Sequence, residues 1–379
     1  MIRFTFFCLL VLQLISCKHH DKEAVNDDDL NDGYTVVELY KKKIEEWPKP
    51  MIDDGVDWKE MKPLEFNKTL FEDMKRSDVI LGKTLFFDPR LSSSNQISCS
   101  SCHHPEMGWT THTEKSTGHN HALSKRNSPS LFNVFTKKQL FWDGRSLSLE
   151  EQALNPIAAH DEMNMDLKKL PNKISKIKGY RELFEKAYGN NKVDLNKIVK
   201  ALSAFQRTIK SQSSRVDGFM RGRHEMLTDN EIKGLHLFRT KARCMNCHHG
   251  EYLTDQKFHN IGLTYYRREL EDLGRYNVTK DPNDVGRFLT PSLRDLLNTR
   301  PWMHNGLFDD LEGVVNIYNS GMQMMNPKKE DKIKDPLYPV TDSLMKPLKL
   351  SNQEIKDLVA FLKALNGTRY KMPIPKIPE

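Results

Sequence analysis

Two stretches decide the fold: Cys99-Ser100-Ser101-Cys102-His103 and, 145 residues further on, Cys244-Met245-Asn246-Cys247-His248. Both read C-x-x-C-H. Two thiols at this spacing, followed at once by an imidazole, form the attachment pattern of a c-type haem. The thiols add to the two vinyl groups of the porphyrin, and the histidine reaches the iron. Competing readings ask for something else. A structural zinc ribbon wants its two C-x-x-C pairs close together, and a dithiol redox site has no use for a histidine after its second cysteine. Cys99, Cys102, Cys244 and Cys247 are therefore predicted to hold two haems, with His103 and His248 as iron ligands. A hydrophobic fraction of only 38% agrees, because part of the interior is then filled by something other than side chains.

The other two cysteines, Cys8 and Cys17, sit at the N-terminus. Phe4 to Ile15 is an apolar run behind the single charge of Arg3, too short to span a bilayer and typical of a secretory signal. It closes with Leu14-Ile15-Ser16-Cys17, which looks like a bacterial lipobox. Residues 1–16 are thus expected to be removed, Cys17 to carry lipid, and the polar residues that follow to act as a tether, giving an envelope protein anchored without spanning the membrane. An exported, periplasm-facing location suits haem attachment.

Net charge and size narrow the class further. Against 51 acidic residues stand 58 basic ones, a net +7 on a mixed surface, which is not the dense patch of a nucleic-acid binder. The 18 Phe, 11 Tyr and 5 Trp spread along the chain exclude wholesale disorder. At 379 residues the chain suggests two domains.

Self-similarity supports that division. Gly82-x-x-Leu85-Phe86 precedes the first haem motif and Gly234-x-x-Leu237-Phe238 the second. At one offset of 162 residues, Ser128-Pro129-Ser130-Leu131 falls on Thr290-Pro291-Ser292-Leu293, Gly144 on Gly306, Leu149-Glu150 on Leu311-Glu312, and Trp142 on His304. Helical signals dominate. Thr228-x-x-Glu231 and Ser351-x-x-Glu354 are capping boxes. Ile198, Leu202, Phe205 and Ile209 form one apolar stripe, and Ile355, Leu358, Leu362 and Leu365 another. No strand–helix alternation is present. The expectation is a mainly α protein of two cytochrome c-like haem domains related by internal duplication, spanning 64–212 and 213–379 behind an extension over 17–63.

These segments resemble the bacterial di-haem cytochrome c peroxidases, including the MauG-type proteins, over roughly Leu64 to Leu365. The carrying motifs are Leu81 to Leu91, the two haem motifs, Phe141-Trp142-Asp143-Gly144-Arg145, Glu151 to Pro156, and Pro301-Trp302-Met303-His304-Asn305-Gly306. The resemblance makes the haem on His103 the peroxide-reacting centre and that on His248 the electron-transfer centre. Gln152, Pro156 and Glu162 match the distal pocket, with Glu162 as the carboxylate that moves a proton between peroxide oxygens. Trp142 matches the tryptophan between the haems. Asn127, Thr299 and Pro301 match a calcium site of hard oxygen ligands. His119, with His112 and His121 as neighbours, matches a second axial ligand that closes the peroxidatic iron in resting members; MauG-type proteins lack it.

The second haem's distal ligand departs from the plain peroxidase pattern. Those enzymes carry a Met 14 residues after the His of P-x-x-H, where this chain has Tyr318, as MauG-type proteins do. Met303, Met322, Met324 and Met325 are the alternatives nearby. The function so implied is reduction of hydrogen peroxide to water with electrons from a small cytochrome c or cupredoxin, in a chain that pairs as a homodimer. Two further readings stay open: a MauG-like oxidation of Trp or Tyr residues in a protein substrate, and a di-haem electron carrier without catalysis.

Overall fold

The computed structural model describes residues 29–30, 34–65, 69–323, 325–367 and 371–379. Cys17, the signal segment 1–16 and Met324 lie outside the described residues. The longest helices are α1 (Ser77–Phe87), α2 (Leu149–Ala158), α3 (Lys178–Tyr188), α4 (Leu195–Gln206), α5 (Asp229–Arg239), α6 (Leu311–Asn319) and α7 (Asn352–Ala364). Among the described residues the strands are two short antiparallel pairs, Asp29–Leu30 with Tyr34–Thr35 and Phe258–His259 with Phe288–Leu289. The mainly helical expectation holds. No helix among these residues is long and apolar enough to cross a membrane.

Two apolar cores organise the chain. In the first, α1 packs on α4, and each buries seven residues in or beside this core, α4 keeping Lys197 and Lys200 on its polar face. The crossing needs Gly82, because a Cβ there would run into the carbonyl of Ala201 on α4. In the second core α5 packs on α7, and Gly234 makes the same approach to the carbonyl of Asp357. Phe86–Phe205 and Phe238–Phe361 ring pairs, each 5.2 Å between centroids, close the two crossings. The bridges Leu140–Ser146 and Trp302–Phe308 also lie 162 residues apart, the offset read from the sequence.

The capping boxes form as their spacing predicts. Thr228 Oγ1 accepts from the Glu231 N–H while Glu231 accepts from the Thr228 N–H, and Ser351 and Glu354 do the same for α7. Ile198, Leu202, Phe205 and Ile209 are all buried.

Chain ends cross between the halves, which the expected boundaries miss. Residues 36–61, read as extension, belong to the second core through Val36, Tyr40, Trp47 and Met61. Tyr40 bonds His236 at 3.2 Å, and the fully buried Arg239 of α5 pairs with Glu60. Conversely, Met372 packs in the first core, and the Pro378 carbonyl accepts from Arg90 at 2.7 Å. Burial of two large aromatics, Tyr40 and Trp47, drives the first exchange, on the scale of about 2–3 kcal/mol per side chain.

Candidate active site

Each haem motif occupies one tight turn at the wall of a cavity. Cys99–Cys102 is a helical turn, its start held by the Ser98 N–H on Ser101 Oγ at 3.0 Å. Cys244–Asn246 is a 3-10 turn that follows the end of α5, where the sequence places it. One turn brings the two thiols to the same side, and both pairs line their cavities as free cysteines.

The histidines are prepared to bind a metal. His103 Nδ1 lies 3.0 Å from the Trp109 carbonyl and His248 Nδ1 3.0 Å from the Leu253 carbonyl. A carbonyl only accepts, so in both rings Nδ1 carries the proton and Nε2 presents its lone pair. Burial, outweighing the bond to Trp109, pushes His103 down to about 4, and burial likewise lowers His248. Neutral imidazoles beside paired thiols and apolar walls fit a covalently attached haem at each site.

The two cavities differ in room and lining. The one beside His103 measures about 960 Å³ and the one beside His248 about 250 Å³. The larger admits a small substrate next to a porphyrin, and it holds the expected distal residues Gln152, Pro156 and Glu162 together. Gln152 and Pro156 share a face of α2, which Ser148 caps by accepting from the Glu151 N–H at 3.1 Å. Proline has no N–H, so the Gln152 carbonyl lacks its helical donor. Burial, with Asp161 adding to it, raises the Glu162 carboxyl above its ordinary value against the pull of Arg145 and Lys125.

Trp142 lines both cavities. Its Nε1 donates to the Asn127 carbonyl at 2.9 Å and its carbonyl accepts from Leu289 N at 2.8 Å, so each half holds one end of it. Arg126 adds a cross-tie, bonding Asp143 and Asp272 at 2.6 Å each.

Tyr318 lines the C-terminal cavity. On α6 it shares a face with Leu311, Val314 and Val315, spaced three, four and seven apart. Its hydroxyl has no hydrogen bond among the described residues, and burial holds the phenol well above its ordinary value. Met322 and Met325 do not line this cavity, whereas Met303 and Met345 do. Asn127, Thr299 and Pro301 all line this cavity. The Asn127 amide donates to the Thr113 and Glu114 carbonyls at 3.2 Å each, leaving its Oδ1 unbonded among the described residues.

His119 stands apart from the other predicted residues of this site. The structure does not bring its ring to the N-terminal cavity. Its backbone N–H is spent on the Glu162 carbonyl at 2.8 Å, and left-handed Asn120 and His121 turn the loop. The ring faces His160 at 6.1 Å and Ser93 Oγ at 3.5 Å instead.

Two features have no counterpart in the sequence reading. His259 lies between Asp255 (2.9 Å) and Asp342 (2.7 Å) on the wall of the C-terminal cavity. Burial alone would lower it, but the hydrogen bonds to the two carboxylates outweigh this and hold the imidazole above its ordinary value. With both nitrogens so engaged, and Cys247 committed to haem, the nearby trio Cys247, Asp255 and His259 is an ion-paired cluster rather than a metal site. Lys137 lines both cavities, and burial pushes it down to about 8. Only an alignment of the loop onto a haem structure could have singled it out.

Comparison with known proteins now decides the family. The chain is 36% identical over 305 residues to the methylamine utilization protein MauG of Methylophilus methylotrophus, covering 79% of this chain and 85% of that one. This chain belongs to the di-haem cytochrome c peroxidase family. The profile described as di-haem cytochrome c peroxidase matches residues 76–225. The cytochrome-c peroxidase IdrP1 of Pseudomonas sp. (strain SCT) is 35% identical, with 76% of this chain and 80% of that one covered. A solved MauG-like protein associated with microbial copper homeostasis superposes with a TM-score of 0.68 at 30% identity, covering 84% and 93% of the two chains. As a di-haem cytochrome c peroxidase, the chain is a haem-dependent oxidoreductase that carries two haem c groups and acts on peroxide.

Proposed function

We propose that this enzyme reduces hydrogen peroxide to water in the cell envelope, taking electrons singly from a small cytochrome c or cupredoxin. One observation carries the reading: a roomy haem cavity holding the buried Glu162, joined through Trp142 to a second, tighter haem cavity. Bound haem supplies a redox-active iron at each site. The remaining work falls to the chain. Glu162 takes a proton from one peroxide oxygen and returns it to the other, so that the leaving group departs as water rather than hydroxide. Gln152 orients the peroxide beside it. Peroxide needs two electrons and two further protons to become two waters, and a haem held by Cys244, Cys247 and His248 would supply the electron that a one-electron donor cannot deliver at once. Trp142 shortens the path between the sites. The unbonded Asn127 Oδ1, with the carbonyls of Thr299 and Pro301, supports a calcium ion between the halves. Matching helix crossings at Gly82 and Gly234 support descent of both halves from one haem module.

Peroxide added to the holoenzyme with excess reduced cytochrome c is expected to oxidise the cytochrome over many turnovers. Oxidation that stops at the enzyme's own haems sinks the catalytic reading in favour of a carrier. Tyr318 in the C-terminal cavity favours a second reading, oxidation of protein Trp or Tyr residues; turnover on such a substrate but not on cytochrome c establishes it.

The lipobox gives a separate expectation: Cys17→Ser yields an exported, soluble and fully active enzyme, whereas the wild type requires detergent for extraction. Release of the wild type into plain buffer removes the anchor.

A further inference from the structure

Among the described residues, Lys137 is the only Lys or Arg that lines both cavities. It sits just past a short 3-10 turn, Val134–Thr136, with its own N–H on the Val134 carbonyl at 3.2 Å. No hydrogen bond, ion pair or ring contact to its ammonium is found among the described residues. On these walls Lys115 and Lys125 of the N-terminal cavity likewise have no ion pair among the described residues, Lys125 being exposed to water, whereas the arginines and Lys346 are paired. Arg243 and Lys346 pair with Asp53, Arg294 with Asp217, Arg126 with Asp143 and Asp272, and Arg145 with Asp143. The C-terminal cavity has no Asp or Glu among its lining residues. An ammonium taken out of water without a counter-charge is costly, and folded chains avoid it by pairing such a group. The charge is close enough to the other haem site to be felt by His103.

We propose that Lys137 is a propionate-binding residue, its ammonium taking a haem carboxylate where the two cavities meet. The partner is anionic, resident and of fixed chemistry, because every haem c brings two propionates. This inference rests on the two haem sites described above. It gives the half-buried lysine its missing counter-charge, on a wall that Lys137 shares with Trp142 in both cavities. A cation there stabilises the reduced, less positive iron relative to the oxidised one.

The test uses the holoenzyme and the nearly isosteric, neutral Lys137→Met. Haem content is measured first, as the pyridine complex, and then both midpoint potentials by spectroelectrochemical titration. The expected result is two haems per chain with a lower potential for at least one of them, because the carboxylate is left as a bare anion, and recovery towards the wild-type value in Lys137→Arg. Two haems at unchanged potentials overturn the proposal. Should Lys137→Met fail to load haem, Lys137→Arg decides through the resonance-Raman bending band of the propionates. A shift of that band from its wild-type position supports the contact, because a guanidinium bonds a carboxylate in a different geometry, and an unmoved band overturns it. Absence of haem from the wild type itself sinks the haem sites instead, so the two failures are distinguishable.

Discussion

Glu162→Gln is expected to keep both haems attached and yet lower peroxide turnover by about 10²-fold or more, the scale of positioned acid–base catalysis. The amide matches the carboxylate in size, so the cavity wall it shares with Gln152 and Pro156 stays filled. What is lost is the ability to accept a proton. Burial, and then the neighbouring Asp161, raise this carboxyl above its ordinary value, and that sets the direction of the pH dependence. Glu162 starts the cycle as a base, so wild-type turnover falls as pH drops through its raised pKa and is retained above it. The glutamine variant, having nothing to titrate, should lose that acidic limb as well as the rate. Near-normal turnover with a reduced cytochrome donor, or an unchanged acidic limb, assigns the proton transfer to another group.

Legibility in the sequence followed the physics of each feature. The haem motifs were readable because covalent chemistry fixes their spacing whatever surrounds them, and both sets of thiols and histidines stand at cavity walls. The capping boxes at Thr228 and Ser351 were readable because their partners are three residues apart. The fate of residues 36–61 was not. Nothing local in Tyr40 or Trp47 says which core will bury them, and the pairing of Glu60 with Arg239 spans 179 residues. The placing of the His119 ring was not legible either. Its backbone bond to Glu162 and two left-handed residues behind it aim the ring at His160, and such loop geometry leaves little trace in composition. Lys137 gave no signal for the same reason: a lysine before the apolar Leu140-Phe141-Trp142 reads as surface until the cavities are in view.

Tyr318→Phe is expected to change the ferric spectrum of the C-terminal haem and raise its potential, by on the order of 100 mV or more given how far axial ligands move haem potentials. Phe keeps the ring packed on the α6 face with Leu311, Val314 and Val315 and removes only the oxygen. That oxygen has no hydrogen bond among the described residues, although a buried phenol ordinarily finds one. In the proposed ligation the haem iron would be its partner. A phenolate is a hard anionic donor that favours the ferric and higher states, whereas a thioether favours the ferrous state and raises the potential. Tyrosine ligation therefore makes reductive priming of this haem harder and suits it to holding an oxidising equivalent, the property that separates MauG-like chemistry from plain peroxide reduction. Thioether ligation remains the rival, and its candidates among the described residues are Met303 and Met345, since Met322 and Met325 stand off the cavity wall, with Met324 outside the described residues. A near-infrared methionine-to-iron band in the wild type assigns the ligand to a methionine and returns the enzyme to the plain peroxidase pattern, and an unchanged spectrum and potential in Tyr318→Phe rules the tyrosine out.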